Sequence, residues 1–356
     1  MTVLASSFLF NLTPVSAVGS LQDYPVYIVQ PGDTINIISI KFNVSADDII
    51  AANNISDPNV LNVNSRLVIP GITGVSGVLD YSPVSIGETP DVIARVNQIS
   101  KDTIFKLNRI TSPSEFYIGS NVILVQSPEH KLSVTTISGG SNLFEKSIQE
   151  NDNLWKLVLL NQADQPWFIL PSESVVVPDL FEEQPLNDVF FTGLPMTQGL
   201  TALVHVRSEN DEVSGYIGNI GLNFFPDNEY YSAFIGIHAL MPAGLYPIHL
   251  EFTNHEREKT TIDQSIMIQQ GFYPKDPPLF VDPSTLDESL MAPEEEIFNK
   301  IVAPFTPEKY WQGIFIYPVD EPVCIKSWFG NRRSYNDQPY NRYHTGVDFG
   351  VCANLN

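Results

Sequence analysis

The feature of this 356-residue chain that most constrains its fold is an internal repeat. Glycines recur at intervals of 55 and 53 residues, and asparagines recur at the same two intervals, each 21 residues after its glycine. The three pairs are Gly32 with Asn53, Gly87 with Asn108, and Gly140 with Asn161. Because repeats of this length are single supersecondary units, the first half of the chain is predicted to hold three copies of one small module.

The first copy shows the pattern of the module most clearly. Apolar runs predict a strand at residues 27–29 and a returning strand at residues 66–70. Between them, Asp33 and Thr34 can cap a short helix. Ser45 is predicted to cap a second helix, with acidic residues in its first turn as the helix dipole prefers. The apolar face of the first helix is predicted to consist of Ile35, Ile38 and Phe42.

This β-α-α-β pattern, with the runs Pro31-Gly32-Asp33-Thr34 and Asn53-Asn54-Ile55, resembles a LysM domain over residues 25–70. The resemblance implies binding of N-acetylglucosamine polymers such as peptidoglycan and chitin, in a shallow groove between the loop after the first strand and the loop before the second. The presence of Asp33, Thr34 and Asn53 is equally well explained by structural roles, as residues that cap helices and form turns. By position, the resemblance implicates Gly32, Asp33, Thr34, Asn53, Ile55, Ser56, Asp57 and Pro58 in glycan binding.

The second and third copies, residues 78–127 and 131–179, keep the period and lose most of the hallmark residues. We interpret them as degenerate LysM-like modules, with sugar binding left open. Trp155 stands in helical period with Leu159 and is predicted to pack in a core. Trp167 lies in a polar loop, where it either packs inside or stacks on a sugar face.

Two regions of different character follow the repeats. Short alternating runs separated by Gly, Pro and Asn predict an antiparallel immunoglobulin-like β-sandwich over residues 185–272. Residues 273–310 are rich in Pro, Asp and Glu and are predicted to be a linker, with one short helix at 294–300. The sandwich histidines, which are expected to be structural, are His205, His238 and His249.

Near the end of the chain, His344 and Asp348 stand four residues apart around a glycine, and a catalytic zinc site takes three such protein ligands. Upstream lie Pro318-Val319 and the run Ser327-Trp328-Phe329-Gly330-Asn331-Arg332. These motifs resemble the opening strands of the lysostaphin-type (LytM-like) zinc endopeptidases, an all-β domain, over residues 311–356. The resemblance implies that His344 and Asp348 are Zn²⁺ ligands and that the family's reaction is cleavage of peptide cross-links.

The family's third ligand belongs to a later H-x-H motif, and no two of the six histidines form one here. We therefore expect this sequence to be truncated before its third ligand and catalytic base, to bind zinc weakly and to hydrolyse nothing. Cys324 and Cys352 both fall in this segment. In an oxidising compartment they form a disulfide, and otherwise they are two buried thiols.

Composition narrows the class of partner. A formal net charge of −22 and a pI near 4.4 argue against nucleic acid and against an anionic membrane surface. Residues 1–20 are interpreted as a secretory signal peptide or its remnant, and no other run approaches the roughly 20 apolar residues of a membrane span. The protein is therefore expected to be secreted and associated with the cell wall, with peptidoglycan as its partner.

Three functions fit these observations. The leading one is a secreted, multidomain, peptidoglycan-binding zinc metalloendopeptidase that is incomplete, and so inactive, as given. The first alternative is a non-catalytic LysM/LytM-like activator of wall amidases. The second is a glycan-binding scaffold.

Overall fold

The computed structural model describes residues 24–126, 132–137, 140–178, 189–207, 210–254, 257, 259–320 and 324–350. The chain divides into two compact units, Met1–Asp80 and Tyr81–Asn356. The predicted signal peptide at residues 1–20 lies outside the described residues. Within those described ranges, every helix is too short or too polar to cross a bilayer.

The first unit contains the first copy of the repeat, in the predicted β-α-α-β order. Its two strands pair antiparallel, with Tyr27 opposite Leu67. Antiparallel pairing places the loop after the first strand beside the loop before the second, at one end of the module. Val78 and Leu79 pair in parallel with the first strand. The elements are β1 (Val26–Ile28), α1 (Ile35–Phe42), α2 (Ala46–Asn53) and β2 (Arg66–Val68).

Both helices of the first copy begin where the sequence predicts, but only the first has a side-chain cap. Thr34 caps α1, because its Oγ1 accepts a hydrogen bond from the Ile37 N–H at 3.2 Å. Ser45 precedes α2, but its side chain makes no capping hydrogen bond, which differs from the prediction. The predicted apolar face of α1 is confirmed, since its buried residues are Ile35, Ile38 and Phe42.

The second and third copies repeat the same order of elements. Each has its own apolar core, centred on Ile104 in the second copy and on Leu157 in the third. The second copy consists of β3 (Val78–Pro83), α3 (Pro90–Asn97), α4 (Lys101–Asn108), a 3₁₀ turn (Pro113–Glu115) and β4 (Asn121–Val125). The third consists of β5 (Leu132–Thr136), α5 (Leu143–Gln149), α6 (Leu154–Leu160), a 3₁₀ turn (Pro166–Phe168) and β6 (Ser174–Pro178).

The repeated asparagine has the same contacts in all three copies. Asn53 Nδ2 donates to the carbonyl oxygens of Ile49 and Val68, at 2.8 and 2.7 Å, and Asn53 Oδ1 accepts from the Val68 N–H at 2.7 Å. Asn108 and Asn161 bond their own second helix and last strand in the same way. We call this set of bonds the asparagine clasp. It explains the repeated asparagine by the fold, because it joins the end of a helix to the returning strand.

Trp155 is not in a core, contrary to the prediction. Its side chain is 57% exposed and that of Leu159 is 77% exposed. The buried residues of α6 are Leu157 and Val158. Because nearly every position of α6 is apolar, its helical period could not show which side faces the core.

Residues 189–269 form two β-sheets packed face to face, which agrees with the predicted sandwich; its immunoglobulin-like character remains a prediction. The sheet orders are β11-β10-β14-β15-β8 and β12-β13-β9-β7. Neighbours pair antiparallel except β15 and β8. The strands are β7 (Val189–Thr192), β8 (Met196–Thr197), β9 (Thr201–Arg207), β10 (Asn210–Ile217), β11 (Ile220–Gly221), β12 (Phe224–Asp227), β13 (Tyr230–Gly236), β14 (Gly244–Asn254) and β15 (Lys259–Gln269).

The predicted linker differs from the structure at its start. Residues 274–281 run beside residues 332–336 and exchange backbone hydrogen bonds with them, so this part is not a free tether. A 3₁₀ turn (Pro283–Leu286) and α7 (Glu288–Val302) follow, and this helix is longer than the predicted one. The last strands are β16 (Cys324–Ser327), β17 (Arg332–Arg333), β18 (Arg342–Tyr343) and β19 (Asp348–Gly350).

Tyr273 joins the sandwich to these last strands. Its hydroxyl donates to the Gln198 carbonyl at 2.7 Å, and the Arg332 guanidinium lies 5.0 Å from its ring centre. A Cβ atom at any of three glycines would overlap the ring, so only glycine leaves room for it. These glycines, which we call the Tyr273 cradle, are Gly199, Gly271 and Gly330.

Candidate functional sites

The loop after β1 is held in shape by one buried carboxylate. Asp33 accepts hydrogen bonds from the Tyr27 hydroxyl at 2.7 Å, the Gln30 N–H at 2.8 Å and Lys41 Nζ at 2.7 Å. Its side chain is only 4% exposed. The carboxylate of Asp33 therefore faces its own module and organises the turn that contains Gly32.

These contacts shift the ionisation of all three side chains. Burial raises the pKa of the Asp33 carboxyl group, but the hydrogen bonds from Lys41, Gln30 and Tyr27 outweigh burial and hold that pKa below its ordinary value. Burial also lowers the pKa of Lys41, and hydrogen bonds to Asp33 and Tyr27 outweigh it, so that pKa is raised. The pKa of Tyr27 is raised, by burial first and then by its hydrogen bond to Asp33.

The other residues predicted from the LysM resemblance divide into two groups. Thr34 and Asn53 use their polar side-chain atoms inside the module, in the cap of α1 and in the asparagine clasp. Ile55 is partly buried after α2. The residues that the structure leaves at the surface of the two loops are Gly32, Ser56, Asp57 and Pro58, and Thr34 is exposed as well.

The two loops are joined to each other at Val29. Its N–H donates to the Ser65 carbonyl at 3.0 Å, and its carbonyl accepts from the Asn64 N–H at 2.8 Å. Beside this junction, Val63 is 47% exposed, and Val60, three residues earlier in the same loop, is 61% exposed. Sequence reasoning missed these two valines, although apolar residues in an otherwise polar loop were a signal for them. The loop end of the first copy thus combines an exposed backbone turn with exposed apolar side chains.

The second candidate site lies where β16 pairs with β19. This pairing sets Ser327 opposite Asp348. His344 follows β18, and its backbone is held on both sides, because its N–H donates to the Asn331 carbonyl and its carbonyl accepts from the Gly330 N–H, both at 2.8 Å. The structure therefore brings together the two residues that the sequence predicts as metal ligands.

The side chain of His344 is 8% exposed and is oriented by its neighbours. Its Nδ1 lies 2.9 Å from Ser327 Oγ and 3.1 Å from the Trp328 carbonyl oxygen, and its Nε2 lies 3.3 Å from Asp348 Oδ1. The Arg333 guanidinium lies 3.8 Å from the other oxygen of Asp348. Sequence reasoning did not assign Ser327 and Arg333 to the site, although both stand in or beside the quoted motif.

The pair formed by His344 and Asp348 fits two positions of a zinc site. Ligand atoms at roughly 2.0–2.2 Å from a tetrahedral zinc ion are about 3.4 Å apart, close to the observed 3.3 Å. A histidine ligand usually donates its other ring N–H to a neighbouring acceptor, and the Trp328 carbonyl is in place for that. Among the described residues, however, no three or more His, Cys, Asp or Glu side chains converge as a metal site would require.

The predicted disulfide remains a prediction. Cys324 stands opposite Gly350 in the sheet, two residues before Cys352 in the chain. Cys352 itself lies outside the described residues.

His205 and His249 make contacts within the sandwich, as expected for structural residues, whereas His238 Nε2 lies 3.2 Å from the Tyr343 hydroxyl in the last strands. His205 stacks on Phe190 with ring centres 4.6 Å apart, and its Nδ1 lies 2.8 Å from Ser232 Oγ. Burial lowers the pKa of His205. His249 Nδ1 lies 2.7 Å from Asp263 Oδ1 on the neighbouring strand.

Comparison with known proteins assigns the first module. Residues 27–70 match the family model described as LysM domain. The chitin elicitor-binding protein of Oryza sativa subsp. japonica is 35% identical over 136 residues, which are 35% of this chain and 38% of that protein. The solved structure of the spore cortex-lytic enzyme SleL of Bacillus megaterium QM B1551 is 25% identical, with 36% of this chain and 30% of that chain covered and a TM-score of 0.23. Residues 27–70 are therefore a LysM domain, which is a carbohydrate-binding module.

Proposed function

We propose that the protein binds N-acetylglucosamine polymers of a cell wall, peptidoglycan or chitin, at the loop end of its LysM domain. The observation that carries this proposal is the open loop end of residues 27–70. There the polar side chains of Asp33, Thr34 and Asn53 are satisfied internally, while the turn at Gly32 and the apolar side chain of Val63 are exposed. The name of the rice relative, a chitin elicitor-binding protein, supports the choice of sugar.

The chemistry of this surface suits a neutral sugar polymer. Backbone N–H and C=O groups in a turn can bond hydroxyl and acetamido groups, and exposed valines can cover the apolar face of a sugar ring. The net charge of −22 adds no attraction for an anionic ligand. Such a shallow contact is weak by itself, and a repetitive polymer strengthens it when more than one module of a chain can bind.

Retention on chitin beads tests this proposal with a matched pair of variants. Val63→Glu places a charge at the loop end, whereas Ile40→Glu places the same charge on the last turn of α1, where the side chain is 79% exposed. We expect Val63→Glu to reduce retention about tenfold, since burying an unpaired charge costs more than 1.4 kcal/mol, and Ile40→Glu to retain the wild-type level. No retention of the wild type, or equal losses in both variants, would exclude this loop end as the site.

A second function, that of a zinc endopeptidase acting on the peptide cross-links of the wall, is favoured by the geometry around His344. His344 and Asp348 would hold the ion, the Trp328 carbonyl and Ser327 would orient His344, and Arg333 would place a positive charge beside Asp348. Bound zinc supplies a Lewis acid and an activated water to such a site. The complete reaction also requires a third protein ligand and a catalytic base.

Zinc content after dialysis against a defined low concentration of free zinc tests the metal site. We expect the wild type to retain zinc weakly and His344→Ala and Asp348→Ala to lose it. His249→Ala is the control, because it removes another histidine that faces an aspartate, in the sandwich. If His344→Ala retains as much zinc as the wild type, the pair is not a metal site, and a non-catalytic activator or a glycan-binding scaffold becomes the better reading.

The same proposal places the protein outside the cell, on the wall that carries its ligand. The LysM domain supports that location, and the signal-peptide interpretation of residues 1–20 remains a prediction. N-terminal sequencing of protein recovered from the medium and from the wall fraction would test it.

A further inference from the structure

The second copy of the repeat has the same loop end as the LysM domain, built by the same bonds. Val84 exchanges hydrogen bonds with Ser120 and Gly119, both at 2.8 Å, as Val29 does with Ser65 and Asn64. The Ser85 N–H donates to the Glu88 carboxylate at 2.7 Å, as the Gln30 N–H does to Asp33. Gly87 has a φ of +83°, and Gly32 has a φ of +88°. Position by position, the two loop ends can therefore be compared directly.

The loop ends of the first and second copies differ in what surrounds them. Val63 in the LysM domain is 47% exposed, whereas Ile118 at the equivalent position of the second copy is 3% exposed. The residues that precede the turn glycines show the same contrast, because Pro31 is exposed and Ile86 is 6% exposed. Ile86 and Ile118 both belong to the apolar core of the sandwich.

Strand β15 of the sandwich covers the loop end of the second copy. The Ile118 N–H donates to the Ser265 carbonyl at 2.9 Å, and Ile118 pairs in parallel with Ile266. The Gln264 side chain reaches the turn itself. Its Oε1 accepts from the Gly87 N–H at 2.6 Å, and its Nε2 donates to the Glu88 carbonyl at 2.7 Å.

The Gln264 carboxamide offers one acceptor and one donor, the same pair that the acetamido group of N-acetylglucosamine offers. In the LysM domain the equivalent backbone groups are the Gly32 N–H and the Asp33 C=O, which have no hydrogen-bond partner among the described residues. The groups that are open in the first copy are thus already bonded in the second.

We infer that the second copy is a docking module for the sandwich and does not bind glycan, because β15 and Gln264 occupy the edge that a sugar would need. This inference rests on the proposed function for the position of the sugar, but not for the dock itself. Its consequence is that the repeat has two roles in one chain: the first copy faces the polymer, and the second fixes the sandwich. In the third copy, Ser172 Oγ accepts a hydrogen bond from the Thr261 N–H of β15 at 3.2 Å, and the turn glycine, Gly140, is exposed.

Amide hydrogen exchange of the full chain, with and without the hexamer of N-acetylglucosamine, tests the inference. Without sugar, we expect residues 84–92 to exchange at least about tenfold more slowly than residues 29–37, a factor that one net hydrogen bond can supply. With sugar, residues 29–37 should slow and residues 84–92 should not change. Slowing of residues 84–92 by the hexamer would overturn the inference.

Substitution of Gln264 tests the dock independently of any sugar. We expect Gln264→Ala to accelerate exchange of residues 84–92 about tenfold and to leave residues 29–37 unchanged. Gln269→Ala is the matched control on the same strand, because the Gln269 side chain is exposed. Gln264→Glu keeps the size of the side chain and removes the donor to Glu88, so it serves if the alanine variant unfolds the sandwich, as exchange of residues 201–207 would reveal.

The outcomes separate the two proposals. If the hexamer leaves residues 29–37 unchanged while Gln264→Ala accelerates residues 84–92, the glycan site is wrong and the dock is right. If neither glutamine variant changes residues 84–92, the dock is wrong, whatever the sugar does.

Discussion

The LysM domain and the third copy of the repeat share a backbone plan and present different surfaces. Both have the asparagine clasp, but the third copy lacks the buried Asp33–Lys41 pair, and Asn142 caps its first helix. The third copy also exposes far more apolar surface, which is contributed by Phe144, Ile148, Trp155, Leu159, Trp167, Phe168 and Leu170. The asparagine clasp and the apolar core are therefore sufficient to maintain this small fold, whereas the residues of the loop after the first strand can change.

The largest expected effect comes from breaking the clasp. Asn161 is 1% exposed, and its loss leaves the Val176 N–H and C=O without their partner. We expect Asn161→Ala to destabilise the third copy by about 2–4 kcal/mol, and Asn53→Ala, which is less buried, to cost about 1–2 kcal/mol in the first. The measurement is the free energy of local opening from hydrogen exchange in each copy. Equal, small effects would mean that the clasp does not hold these copies together.

A smaller effect, confined to the LysM domain, should follow from Asp33→Asn. Hydrogen bonds to a charged group are stronger than neutral ones, so we expect a loss of about 1–2 kcal/mol at pH 7. The third copy serves as the internal control in the same exchange experiment. An equal loss in both copies would indicate a global effect and would contradict a local role for Asp33.

The pH dependence follows from the sign of the shifts. The folded pKa of Asp33 is lowered, so its contribution is complete above the unfolded value near 3.8 and is lost as the pH falls through the folded value. The folded pKa of Lys41 is raised, so its contribution is complete below the unfolded value near 10.5 and is lost as the pH rises through the folded value. We expect Asp33→Asn to remove the acid-side loss in residues 27–70 that this carboxylate causes.

The smallest expected effect is that of Trp155→Ala on stability. A core tryptophan costs about 3–5 kcal/mol when it is truncated, but an exposed one costs about 0.5 kcal/mol or less. The structure therefore predicts little change in the thermal midpoint of the full chain. A loss of several kcal/mol would show that Trp155 packs inside, as its sequence pattern first indicated.

Local sequence patterns predicted those parts of the fold that depend on interactions between residues close in the chain. The period of the glycines and asparagines predicts three β-α-α-β copies. The predicted face of α1 is correct because Ile35, Ile38 and Phe42 stand at helical spacing in a helix that also contains polar residues, although its apolar Ile37 and Ile40 are exposed. The same reasoning failed in α6, where almost every residue is apolar. Periodicity is informative only where polar residues mark the exposed side.

Contacts between distant parts of the chain could not be predicted from pattern. The bond from Gly87 to Gln264 joins residues 177 positions apart, and neither residue is unusual in its own surroundings. Likewise, the Pro- and acid-rich composition of residues 273–310 indicated a linker, yet its first residues pair with the strands around Arg332. The His344–Asp348 pair was predictable because a motif specifies it locally, but the Arg333 contact was not.

The Tyr273 cradle limits where this chain can be cut to make fusion proteins. A fusion point at residue 272 follows the change in composition, but it would separate Tyr273 from Gly199 and Gly271, and a cut just after Tyr273 would separate it from Gly330. Either cut exposes an aromatic ring and leaves its cavity empty. A transplanted segment that keeps Tyr273 in its place must therefore contain Gly199, Gly271 and Gly330 together.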